Sequence, residues 1–274
     1  MLSFRVVSRR LFFMSCVFSC YEQHARAAEI PLDIITETDS GYSFSRLGVK
    51  AGVNNAQPEE YLFDTGSDSF NIAVGMNSSK NGPAWFPTQA GTAVSSPYGY
   101  MYGDGTYGYL QSDTTVSNVQ FYNGTTGKSV ANYDTSGGLG VALIQASIAT
   151  LNSLSGTPGQ VIPGDTPNLL PGQTYYQDLS WQQALDQGTP PDEGHFYGIM
   201  GAGDFVYPGD NGGVPGQLTQ TGYIVEANGT STTPGDCGQA CLIMDLTPAL
   251  RAQFFTQVPW RGVLGTFALS GANS

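Results

Sequence analysis

Apolar positions in this chain fall in short runs or alternate with small polar residues, and Gly, Pro and Asn repeatedly interrupt them. YSFSRLGVKAGV (42–53) reads as strand, and NNAQPEE (54–60) as a polar turn leading into Tyr61-Leu62-Phe63. Across residues 91–122, aromatic and β-branched residues alternate with small polar ones around Gly103-Asp104-Gly105, which predicts a long, exposed β-hairpin. Residues 152–175, rich in Gly, Pro, Ser and Thr, predict a loop insertion. Two short helices stand out. DLSWQQALDQG has Asp178 as cap, Trp181 and Leu185 on one side and Gly188 at its end, and TPALRAQFFTQ has Thr247 as N-cap with Pro248 in the first helical position. The prevailing pattern is all-β.

Composition agrees. The 274 residues are 40% hydrophobic, enough for a real core, whereas only 12% are charged and 36 are Gly and 16 Pro, as expected of many short strands joined by turns. The N-terminus adds a compartment. Arg5, Arg9 and Arg10 precede an apolar run from Leu11 to Cys20, and Ala25-Arg26-Ala27 offers small residues for cleavage, so residues 1–27 read as an export signal. SRRLFF also resembles a twin-arginine signal. A secreted or periplasmic protein is expected, and the run is too short to span a bilayer.

Loss of Arg5, Arg9, Arg10, Arg26 and Glu22 with that signal leaves six basic residues against 21 acidic ones, a formal charge of −15. Such a surface argues against nucleic acid and anionic membranes as partners. Cys16 and Cys20 leave as well. The remaining pair, Cys237 and Cys241 in DCGQAC, suits a small disulfide loop in an oxidising compartment. His195 is the sole histidine of the mature chain, and DEGHFYGIMG around it shows no nucleophile motif, so Ser-His, Cys-His and His-rich zinc chemistry are all poorly served. Carboxylate chemistry is what remains.

The best carboxylate is Asp64, delivered by three apolar residues into Asp64-Thr65-Gly66-Ser67 and followed by strand-like sequence. An aspartate that activates water works beside a second carboxylate, so that the pair shares a proton and divides the roles of base and acid. Here Gly66 would permit a sharp turn and close approach, and the Thr65 and Ser67 hydroxyls would orient the carboxylate. Gly103-Asp104-Gly105-Thr106-Tyr107-Gly108 also matches the dinucleotide pattern G-x-G-x-x-G. That pattern has meaning only between a strand and a helix, and no helical periodicity begins here, so no cofactor is expected.

YLFDTGSDSFNIAV resembles the first catalytic motif of the pepsin-like aspartic proteases. YMYGDGTYGYLQSDTTV is similar to that family's flap, with Tyr102 in the place of the tyrosine that closes over substrate, followed by Gly103 and Asp104. FYGIMGAGDF is similar to the apolar-apolar-Gly segment packed beneath the catalytic loop, matched by Ile199, Met200 and Gly201. The three occur in the family's order. The resemblance implies a pepsin-like acid protease fold, with residues 28–205 as its N-terminal lobe and 206–274 as an incomplete or degenerate C-terminal lobe. It implies a hydrolase cutting a peptide or protein substrate bound extended under the flap. The family's Trp after the first motif is missing, with Phe70 and Asn71 in that neighbourhood, which implies a looser flap.

No second Asp-Thr-Gly or Asp-Ser-Gly follows the first motif, and the Asp39-Ser40-Gly41 triplet lies ahead of it. Asp134 in YDTSGG reads as a surface turn. Asp245 in QACLIMDLTPAL follows apolar residues and is the candidate second aspartate, although Thr247-Pro248 reads as a helix start. Sixty-nine residues after Phe205 are few for a second lobe, so the expectations are a truncated enzyme, a homodimer that completes the dyad, or a non-catalytic module that binds peptide or protein.

Overall fold

The computed structural model describes residues 27–39, 41–74, 95–154, 156–203, 213–219, 221–227 and 237–252. The expected export signal therefore lies outside the described residues, apart from Ala27.

Alternating residues become paired strands. After β1 (Ala28–Pro31), a run of hairpins comprises β2 (Asp33–Asp39), β3 (Tyr42–Val53) and β4 (Glu59–Asp64), with Asn54 and Asn55 in left-handed conformations at the β3–β4 turn. Then follow β5 (Phe70–Ala73), β6 (Tyr98–Tyr102), β7 (Tyr107–Tyr122) and β8 (Ser129–Thr150). A smaller hairpin pairs β9 (Pro158–Val161) with β10 (Tyr175–Asp178), which runs into helix α1 (Leu179–Asp186). Last come β11 (Gly198–Gly201), helix α2 (Val214–Leu218), β12 (Tyr223–Glu226), β13 (Cys241–Met244) and helix α3 (Pro248–Arg251). The architecture is all-β. No helix among the described residues is long and apolar enough to cross a membrane.

Ten strands form one sheet in the order β6-β7-β3-β4-β11-β5-β8-β10-β9, with β2 paired to β3. A further pairing of β7 with β8 closes the six strands β7, β3, β4, β11, β5 and β8 into a ring. Within it, Val49, Ala51, Tyr61, Phe63, Phe70, Ile72, Val119, Phe121 and Ile144 are buried. Each strand turns alternate residues inward, so β4 buries Tyr61 and Phe63 while Glu60, Leu62 and Asp64 take the opposite face.

A second sheet, β1-β13-β12, pairs the first strand of the described chain with two of the last. Ile30, Val214, Leu242 and Met244 belong to the same core as the ring. Residues before and after position 205 thus share one core. Cys237 and Cys241 are joined in a disulfide beside β13.

Local signals are reproduced where they rest on a few neighbouring residues. Asp178 caps α1 by accepting from the Ser180 N–H at 2.9 Å, and the helix buries Trp181 and Leu185. Thr247 caps α3 in the same way through the Leu250 N–H; residues 253–257 of the expected helix lie outside the described residues. Other expectations change. β7 is not an exposed arm, since it pairs with β6, β3 and β8. Glu59 and Glu60 belong to β4 rather than to the preceding turn, because Glu60 finds Lys50 as its cross-strand neighbour. Asp134 sits in β8 opposite Asn118, not in a turn, and the extra residues 135–138 are absorbed as an irregularity against Val116–Asn118 with Gly138 at φ 81°.

Candidate active site

Asp64 ends β4, where the chain leaves the ring for the turn into β5. Its carboxylate accepts the Gly66 N–H at 2.8 Å on one oxygen and the Ser67 hydroxyl at 2.5 Å on the other. Thr65 is exposed, and the two bonds to the carboxylate come from its neighbours instead. Gly66 serves by close approach rather than by left-handed geometry: a Cβ there would lie 3.2 Å from the carboxylate oxygen it faces.

The turn is fastened from below. β11 inserts between β4 and β5, parallel to the first and antiparallel to the second, so two strands adjacent in sequence are separated in the sheet by a third from far along the chain. Its end supplies three successive donors: Gly201 N–H to Ser69 O (2.9 Å), Ala202 N–H to Asp64 O (2.7 Å) and Gly203 N–H to Ser67 O (2.6 Å). The carbonyls of Asp64, Ser67 and Ser69 are thereby occupied, which pins the turn at its start, middle and end. A Cβ on Gly201 would come 2.6 Å from Ser67 O, against backbone that has nowhere to go. Gly201→Ala should thus lower stability by about 2–4 kcal/mol, read as a reduced denaturation midpoint, and should disturb Asp64 more than a core truncation of equal cost.

β6, the turn 103–106 and the start of β7 form a hairpin on the same side. G-x-G-x-x-G opens a strand here, not a helix, as the sequence expectation requires. Gly103 and Gly105 have φ of 44° and 77°. Asp104 is exposed and spends its carboxylate on the turn itself, accepting the Thr106 N–H (3.0 Å) and hydroxyl (2.7 Å), bonds that hold its pKa below the usual value.

Tyr102 lies inside an aromatic cluster rather than at the open surface. It stacks on Tyr107 (5.8 Å) and meets Tyr109 (5.6 Å) and Tyr100 (5.3 Å) edge-on, and Tyr109 in turn contacts Trp181 of α1. Burial pushes the Tyr102 phenol well above its ordinary pKa. Tyr102 is thus packed among neighbouring rings. Asp192 adjoins the cluster; burial first, then the neighbouring Glu193, raises its carboxyl to about 6.

Tyr100 is the residue that sequence reasoning missed. It is 41% exposed, and after burial its phenol is raised by the charges of Asp68 and Asp64, so it lies within electrostatic reach of the Asp64 turn. Strand alternation was the available signal: Tyr98, Tyr100 and Tyr102 share a face of β6, so singling out Tyr102 named a face and chose its more buried member.

Asp245 follows β13 with φ 58°. Its two oxygens accept the Tyr133 and Thr219 hydroxyls, both at 2.8 Å. Among the described residues, no hydrogen bond joins Asp64 to another carboxylate, so the candidate pair is not assembled by contact. Glu60, on the same face of β4 as Asp64, is a different case. Its Oε1 is buried without a hydrogen-bond partner, above Gly48, where a Cβ would lie 2.1 Å from it. Burial, reinforced by Asp33 and Glu59 and only partly offset by Lys50, raises it to about 7.

Compared with family models and with curated proteins, the chain matches none.

Proposed function

We propose that this chain is an exported, pepsin-like aspartic endopeptidase lobe that presents Asp64 at the floor of a peptide-binding cleft. What carries this reading is one arrangement: a carboxylate oriented by an amide and a hydroxyl, in a turn fastened by an inserted strand, within electrostatic reach of a tyrosine on the neighbouring hairpin. A turn with no chemical task has no need of that many constraints on one aspartate.

In the proposed reaction Asp64 and a second carboxylate share a proton and hold a water. One carboxylate takes a proton from the water as its oxygen attacks the peptide carbonyl carbon, and the other gives its proton to the carbonyl oxygen. Collapse of the resulting diol breaks the C–N bond as the amine nitrogen gains a proton. A second copy of the chain is the proposed source of the other carboxylate. The substrate lies extended under β6, where backbone hydrogen bonds give affinity and Tyr100 meets a side chain next to the cut bond. Tyr100→Ala should raise KM about fivefold or more while leaving the denaturation midpoint nearly unchanged, because the ring is substantially exposed.

The test is cleavage of a denatured protein by the purified mature chain from acidic to neutral pH, with and without pepstatin. Pepstatin-sensitive cleavage favoured by acid, with specific activity rising with enzyme concentration, supports the reading and its dimer. One observation favours a second reading: both Asp245 oxygens are taken by Tyr133 and Thr219. If no cleavage occurs at any concentration while an unstructured peptide still binds, the chain is a non-catalytic binding module.

A further inference from the structure

The segment expected to be a plain loop insertion does something more specific. Between β9 and β10 it returns across the hairpin of β6 and β7 on the face opposite Tyr100 and Tyr102. The Gly99 N–H of β6 donates to Pro167 O at 2.8 Å, and the Tyr175 hydroxyl donates to Gly105 O, at the hairpin tip, at 2.6 Å. Leu169 lies where a Cβ on Gly99 would be, 2.3 Å away, and Leu170 lies equally close to a Cβ on Gly105. Both glycines are buried, although one is at the tip of what sequence reads as an exposed flap. Beneath them Ala146, Ile148, Ile162 and Tyr175 form a separate small core with Met101, Leu110 and Leu169 packed on it. The segment itself is stiff: Pro163, Pro167 and Pro171 fix φ at every fourth residue, and Ile162 and Thr166 are tied by N–H bonds to Tyr175 O and Pro163 O.

We propose that residues 162–175 are a strap that fixes the position of the β6–β7 hairpin beside the Asp64 turn, with Tyr175 as its positioning residue. The hairpin is thereby clamped, aromatic cluster inside and strap outside, into a preformed roof. Substrate enters along the cleft beneath a roof of fixed height, and the ordering cost that a mobile flap would impose on binding is met in the folding of the chain. The effect on substrate rests on the protease reading, but the clamp itself does not.

Amide hydrogen exchange resolved by NMR tests the clamp without any need for catalysis. Tyr175→Phe removes only the hydroxyl and keeps the ring in its core, and Leu170→Ala changes a side chain that is 44% exposed, so both variants should fold. The expected result is exchange at least tenfold faster at Gly105 in both variants, with the Val49 and Ile72 amides of the ring unchanged. Unchanged exchange at Gly105, or equal acceleration at Val49 and Ile72, would overturn the strap. On the active enzyme Tyr175→Phe should raise KM about fivefold with kcat within twofold, and an unaltered KM alongside faster exchange would overturn the positioning role. A wild-type chain that cleaves nothing counts against the protease reading alone, since the exchange experiment still decides the clamp.

Discussion

Asp64→Asn should abolish peptide hydrolysis, by at least about a thousandfold, while leaving the fold intact. The substitution is close to isosteric. An asparagine oxygen still accepts the Gly66 N–H, and its amide donates to a Ser67 hydroxyl that turns to accept, so the turn keeps its bonds and loses only the charge. The three donors from Gly201, Ala202 and Gly203 go to backbone carbonyls and are untouched. A thousandfold loss corresponds to about 4 kcal/mol of transition-state stabilisation, the order expected when the group that takes the water's proton is removed. Turnover against a denatured protein, with denaturation midpoints of both proteins measured alongside, is the check. Cleavage retained in Asp64→Asn would remove Asp64 from the chemistry, and a collapse of the midpoint would make its role structural.

The protein should gain stability as pH falls from about 7 toward 5. Glu60 is raised to about 7 and Asp192 to about 6, and Asp33, Glu59 and Glu193 are raised as well, in each case chiefly because burial penalises the ionised form. A carboxyl whose folded pKa lies above its unfolded value keeps the proton that the unfolded chain gives up. Its contribution is complete below the unfolded value, near 4.5 for Glu60, and is lost as pH rises to the folded value. At about 1.4 kcal/mol per pKa unit Glu60 alone accounts for about 3 kcal/mol, a large share of a typical folding free energy. Denaturant midpoints at half-unit steps from pH 4.5 to 8 should fall up to about pH 7 and then level. Glu60→Gln should flatten most of the slope and exceed the wild type at pH 8, where the native glutamate is a buried charge. A flat or rising wild-type profile would contradict this account.

Much of the site could be read from residues close in sequence. Asp64-Thr65-Gly66-Ser67 announced an oriented carboxylate, and Asp178, Thr247 and the Cys237–Cys241 spacing announced two caps and a small closed loop. Each of these depends on bonds spanning five residues or fewer, so the chain encodes them locally. Thr65 shows the limit even there: the motif names two hydroxyls, and only the backbone path of the turn decides that Ser67 faces the carboxylate while Thr65 faces solvent.

What the sequence by itself determined is an all-β chain with one well-marked aspartate turn, an aromatic hairpin and a strongly acidic surface. Strand periodicity and turn chemistry are properties of neighbouring residues, and they survive whatever the rest of the chain does. Only the tertiary structure decided that β11 slips between β4 and β5, that β1 pairs with β13, that Tyr100 feels the charge of Asp64, and that the Pro-rich segment bonds to the hairpin. It also decided the state of Glu60, which reads as a turn residue and becomes a buried acid once Gly48 and Lys50 are brought beside it. Pairing register and burial are set by contacts between separate segments of the chain, where each strand has several partners of similar local preference and only packing of the whole core selects among them.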